Sequence, residues 1–258
     1  MASSCTSKQA PRTERTGSSV ALVLVTGAAS GLGLATAQAL TANGHDVVVQ
    51  ARNPSRIPDR AVLDRMHGAI YGDVAKLDQT IALAKHANEY GRFDAVIHNA
   101  GVLNGPDVLA VNTVAPFVLT AIMRKPHRLI YLSSSMHRSG STTLRGLAPE
   151  TAPASYEDSK LYVTTLAAAV ANRWADTVSH AVDPGWVPTR MGGPSATDDL
   201  DAGHETQVWL ATGEDIDPHT GGYWYHRHPQ RPHPATKDAA FQTELITALE
   251  THTGITLD

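Results

Sequence analysis

Val20-Ala21-Leu22-Val23-Leu24-Val25 runs directly into Thr26-Gly27-Ala28-Ala29-Ser30-Gly31-Leu32-Gly33, and the fold turns on how these residues are read. A short, unbroken apolar run rich in valine predicts a strand buried on both faces. From Gly33 to Ala42 the apolar residues recur at helical spacing. Strand, glycine-rich turn and helix, in that order, put the free N–H groups of a helix N-terminus beside a backbone without side chains. That arrangement suits the pyrophosphate of a dinucleotide. Three glycines alone could equally mark an ordinary turn. The strand before them and the helix after them give the motif its meaning.

The alternation continues outward. Further short apolar runs lie at Val47–Val49, Ala69–Tyr71, Phe93–Ile97, Arg128–Leu132, Val178–Val182 and Gly222–Tyr225. Helical patterns occupy Leu77–Tyr90, Asp107–Met123, Tyr156–Trp174, Glu205–Leu210 and Asp238–Thr251. Strands alternating with helices, with no internal repeat, predict one α/β domain over residues 19–258, built on a parallel sheet of about seven strands. Residues 1–18 are polar, lack the apolar core of a signal peptide and are read as a flexible tail. Cys5, in that tail, is the only cysteine, which excludes an internal disulfide and fits a reducing, cytoplasmic location. At 42% hydrophobic and 18% charged residues the composition is that of an ordinary globular chain. No apolar run approaches the ~18 residues of a membrane span. A net charge of −4 without a basic stripe argues against nucleic-acid binding.

In open parallel sheets ligands bind beyond the carboxyl ends of the strands, so the residues at those ends carry the information. The second run leads into Gln50-Ala51-Arg52-Asn53, with no Asp or Glu to hold adenosine ribose hydroxyls. Arg52 could instead grip a 2′-phosphate, which favours NADP(H) over NAD(H); a solvated surface arginine is the alternative. Arg56 could assist it. The third run ends in Gly72-Asp73-Val74, where Asp73 either accepts from an adenine amino group or caps the next helix. The fourth ends in His98-Asn99-Ala100-Gly101, whose small pair lets backbone lie against an adenosine.

Three later motifs make the pattern specific: Ser133-Ser134-Ser135 after Tyr131-Leu132, Tyr156-Glu157-Asp158-Ser159-Lys160, and Asp183-Pro184-Gly185-Trp186-Val187-Pro188-Thr189. Together the motifs resemble the short-chain dehydrogenase/reductase family from about Val20 to Tyr225. The serines with Met136 and His137, and the late Gly-Tyr-Trp-Tyr stretch, are most similar to its retinol dehydrogenase and carbonyl reductase branch. There is also a likeness to bacterial secondary-metabolite ketoreductases. The resemblance implies a Rossmann-type, doubly wound sheet and an NADP(H)-dependent enzyme that interconverts a carbonyl and an alcohol. It assigns Tyr156 as general acid/base, with Lys160, one helical turn on, favouring its phenolate and holding the nicotinamide ribose. It makes Ser134 the donor to the substrate oxygen, with Ser133 and Ser135 as alternatives in register, and Asn112 the support of a proton relay. It sets Gly27, Ser30, Gly31, Leu32, Gly33, Arg52, Asp73, Val74, Asn99, Ala100, Gly101, Pro184, Gly185, Val187 and Thr189 along the cofactor. The plainer readings are an exposed Tyr–Lys helix pair, turn-forming serines and a surface asparagine.

Some features depart from the family pattern. Only ten residues separate Gly101 from Asn112, and 22 positions separate Ser134 from Tyr156, so residues 138–153 form an extra loop that could border the pocket. These departures leave substrate size, and assembly into a homo-oligomer, open. Ser135, Met136, His137, Trp186 and Met191, with Trp209, are candidate substrate contacts and suggest an apolar small-molecule carbonyl compound. An exposed loop histidine and a core tryptophan are the alternatives for His137 and Trp186. The glycine-rich segment Arg190–Gly203 lies where a mobile lid is expected, or is a plain connector. The late histidines His219, His226, His228 and His233 lack supporting ligands, so no metal is expected. The competing class is a non-catalytic dinucleotide sensor on the same fold.

Overall fold

The computed structural model describes residues 20–57, 60–148 and 150–258; the expected tail, with Cys5, lies outside them. The strands are β1 (Leu22–Val25), β2 (Asp46–Ala51), β3 (Gly68–Tyr71), β4 (Ala95–His98), β5 (Arg128–Leu132), β6 (Val178–Asp183), β7 (Tyr223–Tyr225) and β8 (His228–Gln230). The helices are α1 (Gly31–Ala42), a short α2 (Arg60–Leu63), α3 (Leu77–Glu89), α4 (Ala115–Ile122), α5 (Tyr156–Arg173), α6 (Leu200–Thr212) and α7 (Ala239–Thr253). All eight strands form one sheet in the order β3-β2-β1-β4-β5-β6-β7-β8. The first seven run parallel, and β8 turns back antiparallel on β7.

Successive strand residues bury on opposite faces, which is why the runs are apolar throughout. Leu24, Val48, Val96 and Leu129 join a core with α3, α4, α5 and α7. Val23, Val25, Val47, Val49, Ile97 and Ile130 join a second core with α1 and α6. The strand order reverses between β1 and β4, so a crevice opens there beyond the carboxyl ends. The glycine turn after β1 and the His98–Gly101 segment after β4 flank it.

Two elements differ from the sequence reading. The expected Asp107–Met123 helix is interrupted by a π turn at Ala110–Val114 before α4 begins. β8 is an additional strand, reached through a tight turn with His226 at φ 47 and Arg227 at φ 62. His226 therefore lies in the turn, and His228 opens β8.

Two strand histidines make the fold sensitive to acid. His98 is 2% exposed, stacks on Tyr131 and has its Nδ1 without a partner. Burial pulls its pKa down to about 3. Burial likewise pulls His180 down to about 4, although the His219 carbonyl favours its charged form. In the unfolded chain both take up a proton near pH ~6.5. The unfolded state therefore binds more protons below that pH, and stability falls as the pH drops towards the folded values. At pH ~5 the loss should be about 2 kcal/mol per histidine. Urea unfolding at pH ~8 and at pH ~5 measures it. His98→Phe should remove about half of the difference, and an unchanged pH slope in that variant would contradict the assignment.

Candidate active site

The glycine turn is shaped by close approach. Gly27 and Gly31 have φ of 65 and 57, which glycine adopts without strain. A Cβ on Gly27 would lie 2.8 Å from the Ala100 Cα. On Gly33 it would run into the Asn99 side-chain amide and sit 2.7 Å from the Gly27 carbonyl. Asn99 Nδ2 donates to the Thr26 carbonyl at 2.8 Å, and Thr26 Oγ1 accepts from the N–H groups of Asn99 (2.9 Å) and Ala100 (3.0 Å). Asn99, expected along the cofactor, thus spends its side chain on holding the turn. Buried Gln50 accepts from Gly27 N–H at 2.8 Å and donates to the Gly72 carbonyl at 2.9 Å. Neither Thr26 nor Gln50 was singled out from sequence; the available signal was a polar side chain in or just after an apolar strand.

At the N-terminus of α1 the Ser30 hydroxyl makes no capping bond. Among the described residues neither it nor the first-turn N–H groups has a protein acceptor, as an anion site requires. Beyond β2, the Arg52 side chain is 57% exposed and its Nε lies 3.4 Å from Asp73 Oδ2. Asp73 Oδ1 accepts from Ala75 N–H at 3.0 Å, so this carboxylate both orients Arg52 and caps the turn into α3. Val74 packs against the core beside it. A side-chain-free turn, an uncommitted hydroxyl, free N–H groups and an exposed guanidinium fit a phosphorylated dinucleotide.

The three serines after β5 separate by direction. Ser133 is 2% exposed and shares a 2.6 Å hydrogen bond with Thr164 of α5. Ser135 is exposed. Ser134 Oγ accepts from Met136 N–H at 3.3 Å, and the same side chain lies near enough to the Tyr156 phenol to favour its ionised form. Helix α5 starts at Tyr156 because Ser155 and Asp158 cap each other: Ser155 Oγ accepts from Asp158 N–H (3.1 Å), and the Asp158 carboxylate accepts from Ser155 N–H (2.9 Å). One turn on, Lys160 Nζ donates to the Leu132 carbonyl at 2.7 Å and stands 5.5 Å from the Tyr156 ring centre. Burial pushes Tyr156 up to about 12; the Ser134 contact opposes this, while Asp183 and Glu157 add to it. Burial pulls Lys160 down to about 8, opposed by Asp183.

Asn112 occupies the π turn and is 1% exposed. Its Oδ1 accepts from Val102 N–H (2.9 Å), and its Nδ2 donates to the Val102 carbonyl (2.9 Å) and Ser159 Oγ (3.0 Å). A Cβ on Gly101 would lie 3.5 Å from Asn112 Oδ1, 3.7 Å from Lys160 Nζ and 3.7 Å from Met191 Cε. The Gly101 backbone is therefore where Asn112, Lys160 and the segment after β6 converge. Thr189 of that segment packs on Gly31: a Cβ there would meet Thr189 Cγ2 at 3.3 Å. Pro184 and Gly185, the latter at φ 81, turn the chain out of β6, and Val187 is buried against Gly203.

Met136, Trp186 and Met191 are exposed (43%, 51% and 41%), as is Leu103 at 36%, which the sequence did not flag. Each is within two residues of Ser134, Gly185 or Gly101, or reaches Gly101 directly, so together they make an apolar rim. The Arg190–Gly203 segment gives way early to α6, which begins at Leu200 behind the Asp199 cap. It is clasped: Trp186 N–H donates to Asp198 Oδ2 (2.6 Å), Asp198 N–H to the Trp186 carbonyl (3.0 Å), and Trp186 Nε1 to the Gly192 carbonyl (2.8 Å).

Three candidates fall elsewhere. His137 is fully buried; its Nδ1 donates to the Ser134 carbonyl (2.7 Å) and its Nε2 accepts from His233 N–H (2.9 Å). It braces the serine turn and has no ring nitrogen left for a substrate. Trp209, a partly buried residue of α6, packs edge-on against core Trp224 at 5.1 Å. In the extra loop, Ser141 N–H donates to Asp158 Oδ1 (2.7 Å) and Arg145 N–H to the Tyr162 hydroxyl (2.7 Å), which fastens the loop along α5.

Comparison with known proteins agrees with this geometry. The short chain dehydrogenase family model matches residues 21–200, so the chain belongs to that family. It is 35% identical over 257 residues to the short-chain dehydrogenase chry4 of Gibberella zeae, covering 92% of this chain and 99% of the relative. A short chain dehydrogenase from Escherichia coli CFT073, solved with NADPH, superposes with a TM-score of 0.66 at 24% identity, over 81% of this chain and 97% of its own. The carbonyl reductase Sniffer of D. melanogaster superposes with a TM-score of 0.67 at 19% identity, over 83% and 99%. These two likenesses establish the shared fold. Among the described residues no helix is long and apolar enough to cross a membrane.

Proposed function

We propose that this chain is an NADP(H)-dependent oxidoreductase that interconverts a ketone or aldehyde and the corresponding alcohol. The observation that carries this reading is the meeting of the Ser134 hydroxyl, the Tyr156 phenol and the buried Lys160 amine at the mouth of the crevice. The nicotinamide, when bound, supplies or accepts the hydride. In reduction, negative charge grows on the substrate oxygen; Ser134 donates a hydrogen bond to it, and Tyr156 gives up its Oη proton. A phenol raised by burial is a reluctant acid, and the Lys160 ammonium offsets this by stabilising the phenolate left behind. Asn112 acts through Val102 and Ser159, fixing the loop and helix that carry the site.

The absence of a carboxylate at the end of β2, with Arg52 exposed there, supports NADP(H). The NADPH bound by the Escherichia coli relative is in keeping with that choice. The apolar rim of Leu103, Met136, Trp186 and Met191 supports an apolar carbonyl substrate. Because Arg52 is more than half exposed, its contact with a 2′-phosphate is worth about 1–1.5 kcal/mol, roughly a tenfold preference. Arg52→Ala should erase most of that preference, read by fluorescence titration with NADPH and NADH. Equal affinity for the two in the parent chain would contradict the cofactor assignment. Carbonyl-dependent loss of NADPH absorbance across ketones and aldehydes tests the activity itself. Tight NADPH binding with no carbonyl turned over would favour the sensor.

A further inference from the structure

Asp183, the last residue of β6, is only 6% exposed, and no cation is in ion-pair contact with it among the described residues. Its carboxylate accepts from the Tyr223 hydroxyl at 3.1 Å and from Gly185 N–H at 3.0 Å. A buried carboxylate held only by neutral donors is costly unless a positive charge faces it. Lys160 is the mirror case: it is 5% exposed, and its Nζ is bonded to a backbone carbonyl. The two stand at neighbouring strand ends. Lys160 is anchored on Leu132, whose register partner across the sheet is Val182, and Ser133 N–H donates to the Val182 carbonyl at 2.7 Å. Asp183 is the next residue.

We propose that Asp183 is the counter-charge that keeps buried Lys160 protonated, which makes it a positioning residue for the Tyr156 proton step, with Tyr223 holding its carboxylate in place. The link to the proton step rests on the oxidoreductase reading; the pairing of charges does not.

Among the described residues, Asp183 is a carboxylate whose charge favours the protonated form of Lys160. Tyr156 faces Lys160 from the same helix. Tyr223 and Tyr225 face Asp183 from β7, and burial raises the pKa of both phenols, so they bring no charge of their own. His137 packs on the Tyr223 ring at 4.6 Å and is kept neutral by burial. Arg138 lies over the same ring at 5.4 Å and donates to the Arg231 carbonyl. Asp198, bonded to the Trp186 backbone, acts on Tyr225. The network also has a reason to be rigid. His137 ties the Ser134 carbonyl to Tyr223, and Tyr223 ties Asp183, so the serine turn and the Gly185 turn share one support.

The test reads Lys160 directly. The full chain, free of cofactor, is labelled with 13C at the lysine Cε, and the Lys160 resonance is assigned by its loss in Lys160→Arg. In the parent it should titrate near pH 8. In Asp183→Asn, which keeps the shape and an acceptor for Gly185, it should titrate at least about one pH unit lower, a tenfold loss of proton affinity. Tyr223→Phe removes the hydrogen bond but leaves the charge, and should titrate close to the parent. An unshifted Lys160 in Asp183→Asn would overturn the proposal, as would an equal shift in Tyr223→Phe. If Asp183→Asn does not fold, Asp183→Ser removes the same charge and is read in the same way. Where carbonyl turnover is measurable, the high-pH limb of kcat for reduction should move down by the same amount in Asp183→Asn. Failure to find any turnover counts against the oxidoreductase reading and leaves the Lys160 titration to decide the pairing.

Discussion

Tyr156→Phe should fold normally, bind NADPH with nearly the parental affinity, and lose at least ~10²-fold in carbonyl turnover. The substitution keeps the ring that starts α5 behind the Ser155–Asp158 cap and removes only the hydroxyl. That hydroxyl is the one group presented both to Ser134 and, through the ring, to Lys160. Ser134 can donate a hydrogen bond in the variant, but the hydroxyl placed to hand its proton to an oxygen gaining charge is gone. Steady-state reduction, with unfolding and NADPH titration as controls, measures it. Near-parental turnover would show that the proton comes from elsewhere.

Gly33→Val should damage the other half of the site. Its Cβ would strike the Asn99 amide and press on the Gly27 carbonyl at 2.7 Å. Asn99 cannot move aside without giving up its 2.8 Å bond to the Thr26 carbonyl. Overpacking of this kind costs about 1–3 kcal/mol. The displaced turn is also the surface on which the cofactor phosphates are proposed to lie, so NADPH affinity should fall at least ~10-fold, which is about 1.4 kcal/mol. Urea unfolding and NADPH titration read the two effects separately. A variant parental in both would mean that the glycine turn is not a close-packed cradle.

The parallel strands were legible because both faces of the sheet are covered, so each strand is a plain apolar run with no solvent face to blur it. The glycine turn was legible because strand and helix flank it. What stayed hidden depends on tertiary partners. β8 follows a turn in which His226 and Arg227 take left-handed φ values where Asn-Gly would be the readable signal. Arg227 is held there by other elements: its N–H donates to Thr206 Oγ1 at 3.0 Å, and its guanidinium pairs with Glu205 at 3.1 Å. The π turn around Asn112 leaves no trace in apolar spacing, since it exists to let one side chain reach Val102 and Ser159. The site motifs located the residues at the crevice but not their directions. Ser133 and Ser134 are adjacent and chemically alike, yet one hydroxyl is bonded to buried Thr164 while the other caps the turn at Met136 on the side of Tyr156. His137 looked like a loop residue because its burial comes from Tyr223 and His233, far along the chain.

The most direct test of the account is to follow the hydride. The parent protein is mixed with NADPH deuterated at the nicotinamide C4 and with a panel of apolar ketones and aldehydes, and the products are examined by mass spectrometry. The account predicts an alcohol carrying one deuterium on the former carbonyl carbon, formed only when the cofactor is present and lost in step with turnover in Tyr156→Phe. NADPH that binds tightly while every carbonyl is recovered unchanged would contradict it.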